Sequence, residues 1–296
     1  MRPGEPSRTA LLVAGMRAAH PVLDGNCIFN DPLAARILGA DAEDAIRRAA
    51  EAPPAARLLR LFVAARSRFA ADALADAPET KQYVVLGAGL DTSAYRPDID
   101  PGVKLFEVDH PSTQGWKRRR LAEAAIPIPA SLTFVPVDFE RATFLDSLLR
   151  AGFDPALRTF FTWLGVVPYL SEQAVFETLR IVAGLPGGAE IVFDYTNPPD
   201  MMRPRTRAAH EDLAAWVAAA GETFSAYFNS GALCQRLETL GYCDIEDLGP
   251  AAIAERYFGA RPAPERRGAH IVRAATFPSS PARAAVQAAP AGRTAS

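Results

Sequence analysis

The sequence changes character at the run Tyr83-Val84-Val85-Leu86-Gly87-Ala88-Gly89-Leu90-Asp91-Thr92. The apolar run from Tyr83 to Leu86 has the length of a short buried strand, and it leads directly into a Gly-x-Gly turn. Glycines let the backbone approach a ligand closely and adopt conformations that other residues avoid. The run therefore predicts a strand that ends at a binding loop, as in open parallel sheets, whose ligands lie beyond the carboxyl ends of the strands.

Beyond this run, short apolar segments alternate with stretches of helical character. We expect further strands at residues 104–108, 132–137, 159–164 and 190–193. We expect helices in the intervening segments rich in Ala, Leu and Arg, at residues 116–125, 144–151 and 173–183. Such alternation is typical of a parallel sheet covered on both faces, so the sequence predicts an α/β fold.

The end of the chain breaks this alternation. Two strands are expected at residues 242–248 and 270–276, joined by a loop with Pro250, Pro262 and Pro264 rather than by a long helix. Two strands without a crossover helix pair antiparallel. A mostly parallel sheet that ends in such a pair is typical of methyltransferases and unusual for dinucleotide dehydrogenases.

A single domain is expected over residues 1–277. Within it, residues 1–77 read as helices broken by prolines. Together with residues 197–230 they are expected to form a helical cap over the strand ends. Residues 278–296 are rich in Pro, Ala and Ser without periodicity and are expected to be disordered.

The composition excludes several classes of protein. A formal net charge of -2 offers no basic field for nucleic acid, and no apolar run approaches the roughly 20 residues of a membrane span. The cysteines form no CxxC pair and the histidines are scattered, so no metal site is expected. We expect a soluble, cytoplasmic protein that binds neither membrane nor nucleic acid, with its oligomeric state left open.

Acidic residues follow the next two strands, at the same edge of the sheet as the glycine loop. Asp109 lies about 20 residues beyond the glycines, where a carboxylate accepts hydrogen bonds from both ribose hydroxyls. Asp138 is a candidate acceptor for an adenine amino group, and His110 is expected to flank the same ligand. The glycine loop or either aspartate alone would also fit an ordinary turn between a strand and a helix. Together, at the ends of three consecutive strands, they predict a nucleoside site.

A nicotinamide or flavin dehydrogenase is the main competing interpretation. Its fingerprint requires a third glycine where Thr92 stands, and the chain has no Tyr-x-x-x-Lys pair. S-adenosylmethionine contains no diphosphate, so a methyltransferase does not need that glycine. The pattern therefore favours S-adenosylmethionine over a dinucleotide.

Arg66 gives an independent indication. On a helix its neighbours at three, four and seven positions are apolar, Leu59 and Phe62 among them. A guanidinium on such a face either snorkels to water or needs an anionic partner. That partner is a local protein carboxylate or the methionine carboxylate of the cofactor. Arg68, with Asp72 four residues on, is expected at the surface.

Several motifs resemble those of the leucine carboxyl methyltransferase family of class I S-adenosylmethionine-dependent enzymes: Ala65-Arg66-Ser67-Arg68-Phe69, Val85-Leu86-Gly87-Ala88-Gly89-Leu90-Asp91-Thr92, Phe106-Glu107-Val108-Asp109-His110-Pro111 and Val135-Pro136-Val137-Asp138-Phe139. The similarity runs from about residue 7 to residue 276. The resemblance implies a seven-stranded, Rossmann-like sheet with a helical cap. It also implies these cofactor contacts: Arg66 with the carboxylate, Gly87 with the methionine part, Asp109 with the ribose, and Asp138 with Phe139 beside adenine. Ala88 and Gly89 are expected to bind the cofactor as part of the same loop.

One position departs from the family pattern. Alignment on Tyr169 and Leu170 places Leu164 where family members often carry a glutamate near the cofactor's methionine part. Either backbone carbonyls replace the lost contact or the affinity for the cofactor is weaker. This loop also borders the acceptor site, so the substrate of protein-modifying members does not carry over to this chain. The sequence is similar to a broader bacterial branch of the family, whose members are expected to modify small molecules.

The acceptor is expected to be a carboxylate or a hydroxyl of a small molecule. A carboxylate, with a pKa near 4, needs no base, whereas a phenol, with a pKa of about 10, does. Candidate acceptor-side residues are Tyr169, Tyr195, Arg203, Arg205 and His210, and no catalytic residue is assigned. A protein C-terminal carboxyl methyltransferase and a non-catalytic protein that binds S-adenosylmethionine are the alternatives.

Overall fold

The computed structural model describes residues 8–25, 28–97, 99–137, 143–219, 223–259 and 267–278. The strands are β1 Gln82–Leu86, β2 Lys104–Asp109, β3 Leu132–Pro136, β4 Thr159–Trp163, β5 Ala189–Thr196, β6 Asp244–Leu248 and β7 Ala269–Ala275. The helices are α1 Arg8–Leu23, α2 Pro32–Leu38, α3 Ala42–Glu51, α4 Pro54–Ala75, α5 Pro111–Glu123, α6 Phe144–Arg150, α7 Glu172–Ala183, α8 Pro204–Ala219, α9 Ser230–Leu240 and α10 Pro250–Phe258.

The strands form one sheet in the order β3-β2-β1-β4-β5-β7-β6. Strands β1 to β5 run parallel, and β7 runs antiparallel to both β5 and β6. This arrangement confirms the predicted α/β fold with an antiparallel pair at its end. The order reverses between β1 and β4, so the carboxyl ends of these strands border a crevice of the kind in which open α/β sheets bind ligands.

The connection between the last two strands differs from the prediction. Where the sequence predicts a loop, the nine-residue helix α10 follows β6. Pro250 stands at the start of this helix, where its missing N–H is not needed. Gly259 ends the helix with a φ of 58°, a left-handed conformation that suits glycine. Pro250 therefore begins a helix instead of preventing one.

Both faces of the sheet are covered by apolar clusters. Side chains along a strand point alternately to the two faces, so neighbouring residues of one strand belong to different clusters. On β4, Phe160 belongs to a cluster with Phe69 of α4, and Phe161 belongs to a second cluster with Leu179 of α7. Burial of each such side chain contributes about 1.5–3 kcal/mol to stability. This packing fixes the positions of the residues at the ends of the strands.

Buried polar contacts fasten the N-terminal helices to the glycine loop after β1. Arg17 of α1 is buried and pairs with Asp31 at 3.0 Å. Asp31 also accepts a hydrogen bond from the Thr92 hydroxyl at 2.7 Å and caps α2 through the N–H groups of Leu33 and Ala34. One carboxylate therefore joins α1, α2 and the loop.

Among the helices of the described ranges, none combines the length and the hydropathy that a membrane span requires. Within the same ranges, no group of three His, Cys, Asp or Glu side chains is placed to hold a metal ion. The predicted disordered tail lies, from residue 279 onward, outside the described residues. The division into one domain and a tail stays a prediction.

Candidate functional site

A cavity of about 570 Å³ lies beyond the carboxyl ends of β1, β2, β4 and β5, between these ends and helices α1, α4 and α8. The cavity brings together the predicted cofactor residues Arg66, Gly87, Ala88, Gly89, Asp109, His110 and Leu164. Of the predicted acceptor residues, Tyr169 and His210 line it. Asp138 and Phe139, predicted beside adenine, lie outside the described residues.

The loop after β1 requires both of its glycines. Gly87 and Gly89 have φ angles of 64° and 45°, in the left-handed region that disfavours residues with a side chain. A Cβ on Gly87 would also collide with the side chain of Val166, in the loop after β4. A Cβ on Gly89 would lie 3.2 Å from the Cβ of Ala10 on α1. The loop therefore packs closely against both neighbours while it lines the cavity.

Asp109, the last residue of β2, has its carboxylate oriented by two backbone amides. The Gly89 N–H donates to one oxygen, and the His110 N–H donates to the other at 2.6 Å. Burial raises the pKa of Asp109, and these two hydrogen bonds oppose that rise. A carboxylate oxygen accepts more than one hydrogen bond, so both oxygens can still accept from ribose hydroxyls. The His110 ring caps α5, with Nδ1 accepting from the Ser112 N–H at 3.2 Å.

Arg66 of α4 is buried and pairs with Asp194 near the end of β5, with Nη1 2.9 Å from Oδ2. The other Asp194 oxygen accepts a hydrogen bond from the Gly165 N–H at 2.6 Å. A Cβ on Gly165 would lie 2.6 Å from Arg66 Nη2, so the guanidinium packs directly on this loop. A guanidinium has five N–H donors, and the pair with Asp194 leaves others for an anionic group of a ligand. Arg68 pairs with Asp72 at the surface, as predicted.

On the α8 side of the cavity, aromatic rings pack around Phe224. The Tyr169 ring stacks with Phe224 at a centroid distance of 5.5 Å, and the His210 ring stacks with it at 5.4 Å. Tyr227 meets the His210 ring edge to face, and its hydroxyl lies 3.0 Å from His210 Nε2. We call the side chains of Tyr169, His210, Phe224 and Tyr227 the aromatic cluster.

Backbone hydrogen bonds fix the segment that carries Phe224. The N–H groups of Ser225 and Ala226 donate to the carbonyl of Pro168, the residue before Tyr169. Sequence reasoning missed Phe224 for two reasons. Its segment has neither a helical nor a strand period, and the bonds that position it join residues far apart in the chain.

The α8 side of the cavity is mainly apolar, with His210 as a half-buried polar group. Burial lowers the pKa of His210, and the charge of the adjacent Glu211 opposes that shift. The imidazole is therefore mostly neutral at pH 7, since its ordinary pKa is about 6.5. The apolar side chains come from three helices: Leu12, Val13, Leu59, Phe62, Leu213 and Val217.

The other predicted acceptor residues lie away from the cavity. Tyr195 is buried in the core, where its hydroxyl donates to Asp247 at 2.7 Å. The reason is that neighbouring residues of a strand face opposite sides, and Asp194 takes the cavity side. Arg203 and Arg205 are exposed near the start of α8. The structure therefore does not bring these three side chains to the acceptor.

A buried ion pair lies close to Asp109. Glu107 of β2 and Lys117 of α5 are both buried, with Oε1 2.7 Å from Nζ. The Tyr95 hydroxyl donates to the other Glu107 oxygen at 3.1 Å. Burial raises the pKa of Glu107 to about 7, against the opposing charge of Lys117. The pair fastens α5 to the strand that ends in Asp109.

The sequence model of the family described as leucine carboxyl methyltransferase matches residues 10–183, more than half of the chain. The chain belongs to the leucine carboxyl methyltransferase family. This family member is 37% identical over 186 residues to YktD of Bacillus subtilis (strain 168), a protein provisionally named an S-adenosyl-L-methionine-dependent methyltransferase. It is 35% identical over 182 residues to a protein of the same provisional name from Saccharopolyspora erythraea.

These matches cover 61% and 60% of this family member, and 60% and 62% of the two relatives. The chain thus spans about 60% of the length of the curated relatives it matches.

Solved structures share the fold at low sequence identity. A DUF574 family protein from Streptomyces avermitilis MA-4680 has a TM-score of 0.57 and 17% identity, covering 92% of this family member and 98% of that protein. A provisionally named methyltransferase from Thermobifida fusca YX has a TM-score of 0.52 and 16% identity, with 88% and 93% covered. The likeness confirms the methyltransferase fold that the sequence predicts.

Proposed function

We propose that the chain is an S-adenosylmethionine-dependent methyltransferase that methylates an oxygen atom of a small molecule. The observation that carries this proposal is one cavity, at the reversal of strand order, lined by the glycine loop, Asp109 and Arg66. The names of the Bacillus and Saccharopolyspora relatives support S-adenosylmethionine-dependent methyl transfer, and they name no acceptor.

The side chains of the cavity fit the chemical groups of S-adenosylmethionine. Asp109 offers carboxylate oxygens to the ribose hydroxyls, and Arg66 offers N–H donors to the methionine carboxylate. Asp109 lines the cavity, and its carboxylate attracts a ligand that carries a sulfonium and an ammonium group. Asp91 and Asp194 also line the cavity, paired with Arg17 and Arg66. Leu164 adds an apolar contact and no charge.

When bound, the cofactor supplies a methyl group on a positively charged sulfur. The protein's own tasks are to align the acceptor oxygen with that carbon and to exclude water. Apolar side chains from α1, α4 and α8 exclude water, and the aromatic cluster offers flat surfaces to the acceptor. The cavity volume of about 570 Å³ lies within the roughly 300–1,000 Å³ of small-molecule and cofactor sites.

The test begins with calorimetric titration of the purified protein with S-adenosylhomocysteine, for which we expect saturable binding at one site. The protein is then incubated with S-adenosylmethionine and a set of hydroxylated and carboxylated small molecules, and S-adenosylhomocysteine release is measured. Absence of binding would contradict the proposal. Binding without turnover on any acceptor would indicate a non-catalytic protein, and turnover only on peptides with a free C-terminus would indicate a protein carboxyl methyltransferase.

A further inference from the structure

The cationic side chains of the cavity leave a carboxylate acceptor without a counter-charge. Arg17 is paired with Asp31 at 3.0 Å and with Asp91 at 3.3 Å. Arg66 is paired with Asp194 at 2.9 Å, and its remaining donors are assigned above to the methionine carboxylate. No lysine lines the described part of the cavity. Transfer of an ionised carboxylate into apolar surroundings without a partner is strongly unfavourable. A neutral acceptor avoids this penalty.

The aromatic cluster suits a planar ring. Tyr169 and His210 stack with Phe224 at interplanar angles of 27° and 18°. Aromatic rings favour stacked and edge-to-face neighbours at centroid distances of about 4.5–7 Å. Tyr169, His210 and Phe224 all line the cavity, so an acceptor ring that packs against them gains contact energy without any charge.

The aromatic cluster is contiguous with the cofactor loop. Gly87 lies against Val166, and the Tyr169 N–H donates to the Val166 carbonyl at 3.0 Å. From Tyr169 the ring contacts continue through Phe224 to His210. A small acceptor in this cavity thus meets the donor at one end and the cluster at the other.

The carboxylates of the cavity are already engaged. Asp109 accepts from two backbone amides, Asp91 accepts from the Ser93 N–H at 2.6 Å, and Asp194 binds Arg66. Each of these carboxylates is thus held in place by donors of the protein.

His210 differs from these carboxylates. Its Nε2 lies against the Tyr227 hydroxyl, so in one tautomer Nδ1 carries the free lone pair. The titratable groups described near its ring are Glu211 on α8 and Tyr227. From α4, Leu59 and Phe62 line the same cavity without charge, and Arg66 lines it with its guanidinium paired to Asp194. His210 is therefore a neutral base in apolar surroundings.

Resting on the function proposed above, we infer that the acceptor is a hydroxyl on a planar aromatic ring and that His210 accepts its proton. The O–H bond breaks and the proton moves to the free ring nitrogen of His210. The acceptor oxygen uses its electron pair to bond the methyl carbon, while the electrons of the carbon–sulfur bond remain on sulfur. The protonated imidazole then releases its proton to water.

The first test measures binding, with 2-naphthol and 2-naphthoate as fluorescent probes in the presence of S-adenosylhomocysteine. The two probes share a ring system and differ in the acceptor group. We expect 2-naphthol to bind at least about 10-fold more tightly, because the carboxylate must lose its hydration without a counter-charge. Equal or tighter binding of 2-naphthoate, or no binding of either probe, would overturn the inference.

The second test separates a base from a structural residue through the variant His210→Gln, with the exposed Asp212→Asn as control. In the wild-type protein, 2-naphthol binds more weakly as His210 becomes protonated at acid pH, and in His210→Gln this pH dependence is absent. With 2-naphthol as acceptor, kcat at pH 7 falls about 10²-fold in His210→Gln. The loss shrinks above pH 9, because the acceptor then ionises unaided. A pH-independent loss would overturn the role of His210.

Binding of S-adenosylhomocysteine distinguishes a failure of the proposed function from a failure of the inference about the acceptor and His210. We expect the same dissociation constant for the wild-type protein and for His210→Gln. If the wild-type protein does not bind S-adenosylhomocysteine, the proposed function itself fails. If it binds and the methyl group is transferred to carboxylates alone, only the inference about the hydroxyl and His210 fails.

Discussion

The Gly89 amide donates a hydrogen bond to the Asp109 carboxylate across 20 residues of sequence. The bond joins the loop after β1 to the end of β2, so the parts expected to meet the methionine and the ribose form one unit. The remaining acceptor capacity of Asp109 is directed at the cavity that both residues line.

Substitution of Asp109 is expected to weaken cofactor binding selectively. Hydrogen bonds to a charged group contribute about 1.5–3 kcal/mol, so Asp109→Ala should raise the Kd for S-adenosylhomocysteine by about 10- to 100-fold. Calorimetric titration gives the value directly. The control is Asp146→Ala, an exposed residue of α6, which should leave the Kd unchanged. An unchanged Kd in Asp109→Ala would remove Asp109 from the site.

Arg66 and Arg68 form a matched pair for stability measurements, because they lie on the same helix in opposite environments. Arg66→Met leaves Asp194 buried without its partner and should lower the free energy of unfolding by about 3–5 kcal/mol. Arg68→Met breaks an exposed pair with Asp72 and should lower it by no more than about 1 kcal/mol. Urea unfolding of both variants tests the difference, and equal losses would contradict the buried pair.

Lys117→Met should destabilise the protein in a pH-dependent manner. The pKa of Glu107 is raised to about 7 in the folded protein, above its value in the unfolded chain. The folded state therefore holds this proton more tightly, and stability falls as pH rises toward 7. In Lys117→Met the charged form of Glu107 loses its partner. At pH 8.5 the free energy of unfolding of this variant should therefore be about 3–5 kcal/mol below that of the wild-type protein. At pH 5 Glu107 is protonated and the loss should be much smaller, which urea unfolding at both pH values can check.

Gly87→Ala should be more harmful than Gly152→Ala, although both glycines have positive φ angles, of 64° and 90°. A Cβ on Gly152 meets open space. The free energy of unfolding of this variant should therefore fall only by the cost of a left-handed backbone, about 1–2 kcal/mol. Gly87→Ala adds the collision with Val166 and should also weaken S-adenosylhomocysteine binding. The double variant Gly87→Ala with Val166→Ala should regain part of the stability in urea unfolding. No recovery would show that Val166 is not the obstacle.

The residues proposed to hold the cofactor could be found from the sequence because their signals are local in the chain. An apolar run followed by Gly87-Ala88-Gly89 specifies both a strand and its exit loop, and Asp109 ends the next strand. Parallel strands place such ends at one edge of the sheet. The helix α10 was missed because Pro250 fits either a loop or the first turn of a helix.

The rest of the site could be predicted only in part, because its geometry depends on long-range contacts. Tyr169 and His210 line the cavity as expected, whereas the other acceptor candidates lie away from it. The partner of Arg66 lies 128 residues away. Whether Asp194 or Tyr195 faces the cavity depends on a shift of one residue along β5, which moves a side chain to the opposite face. The position of Phe224 depends on the approach of its segment to Pro168. None of these relationships leaves a periodic signal.

The main-chain anchoring of the segment around Phe224 bears on how acceptor specificity can evolve. Ser225 and Ala226 donate to the Pro168 carbonyl, and Phe228 donates to the Thr196 carbonyl. Every residue except proline has a main-chain N–H donor, and every residue has a main-chain carbonyl acceptor, whichever side chain it carries. Replacement of Phe224 therefore changes the surface offered to the acceptor while the path of the chain and the donor loop persist. Under the function proposed above, the surface that meets the acceptor can therefore change one side chain at a time without a change in the backbone of the site.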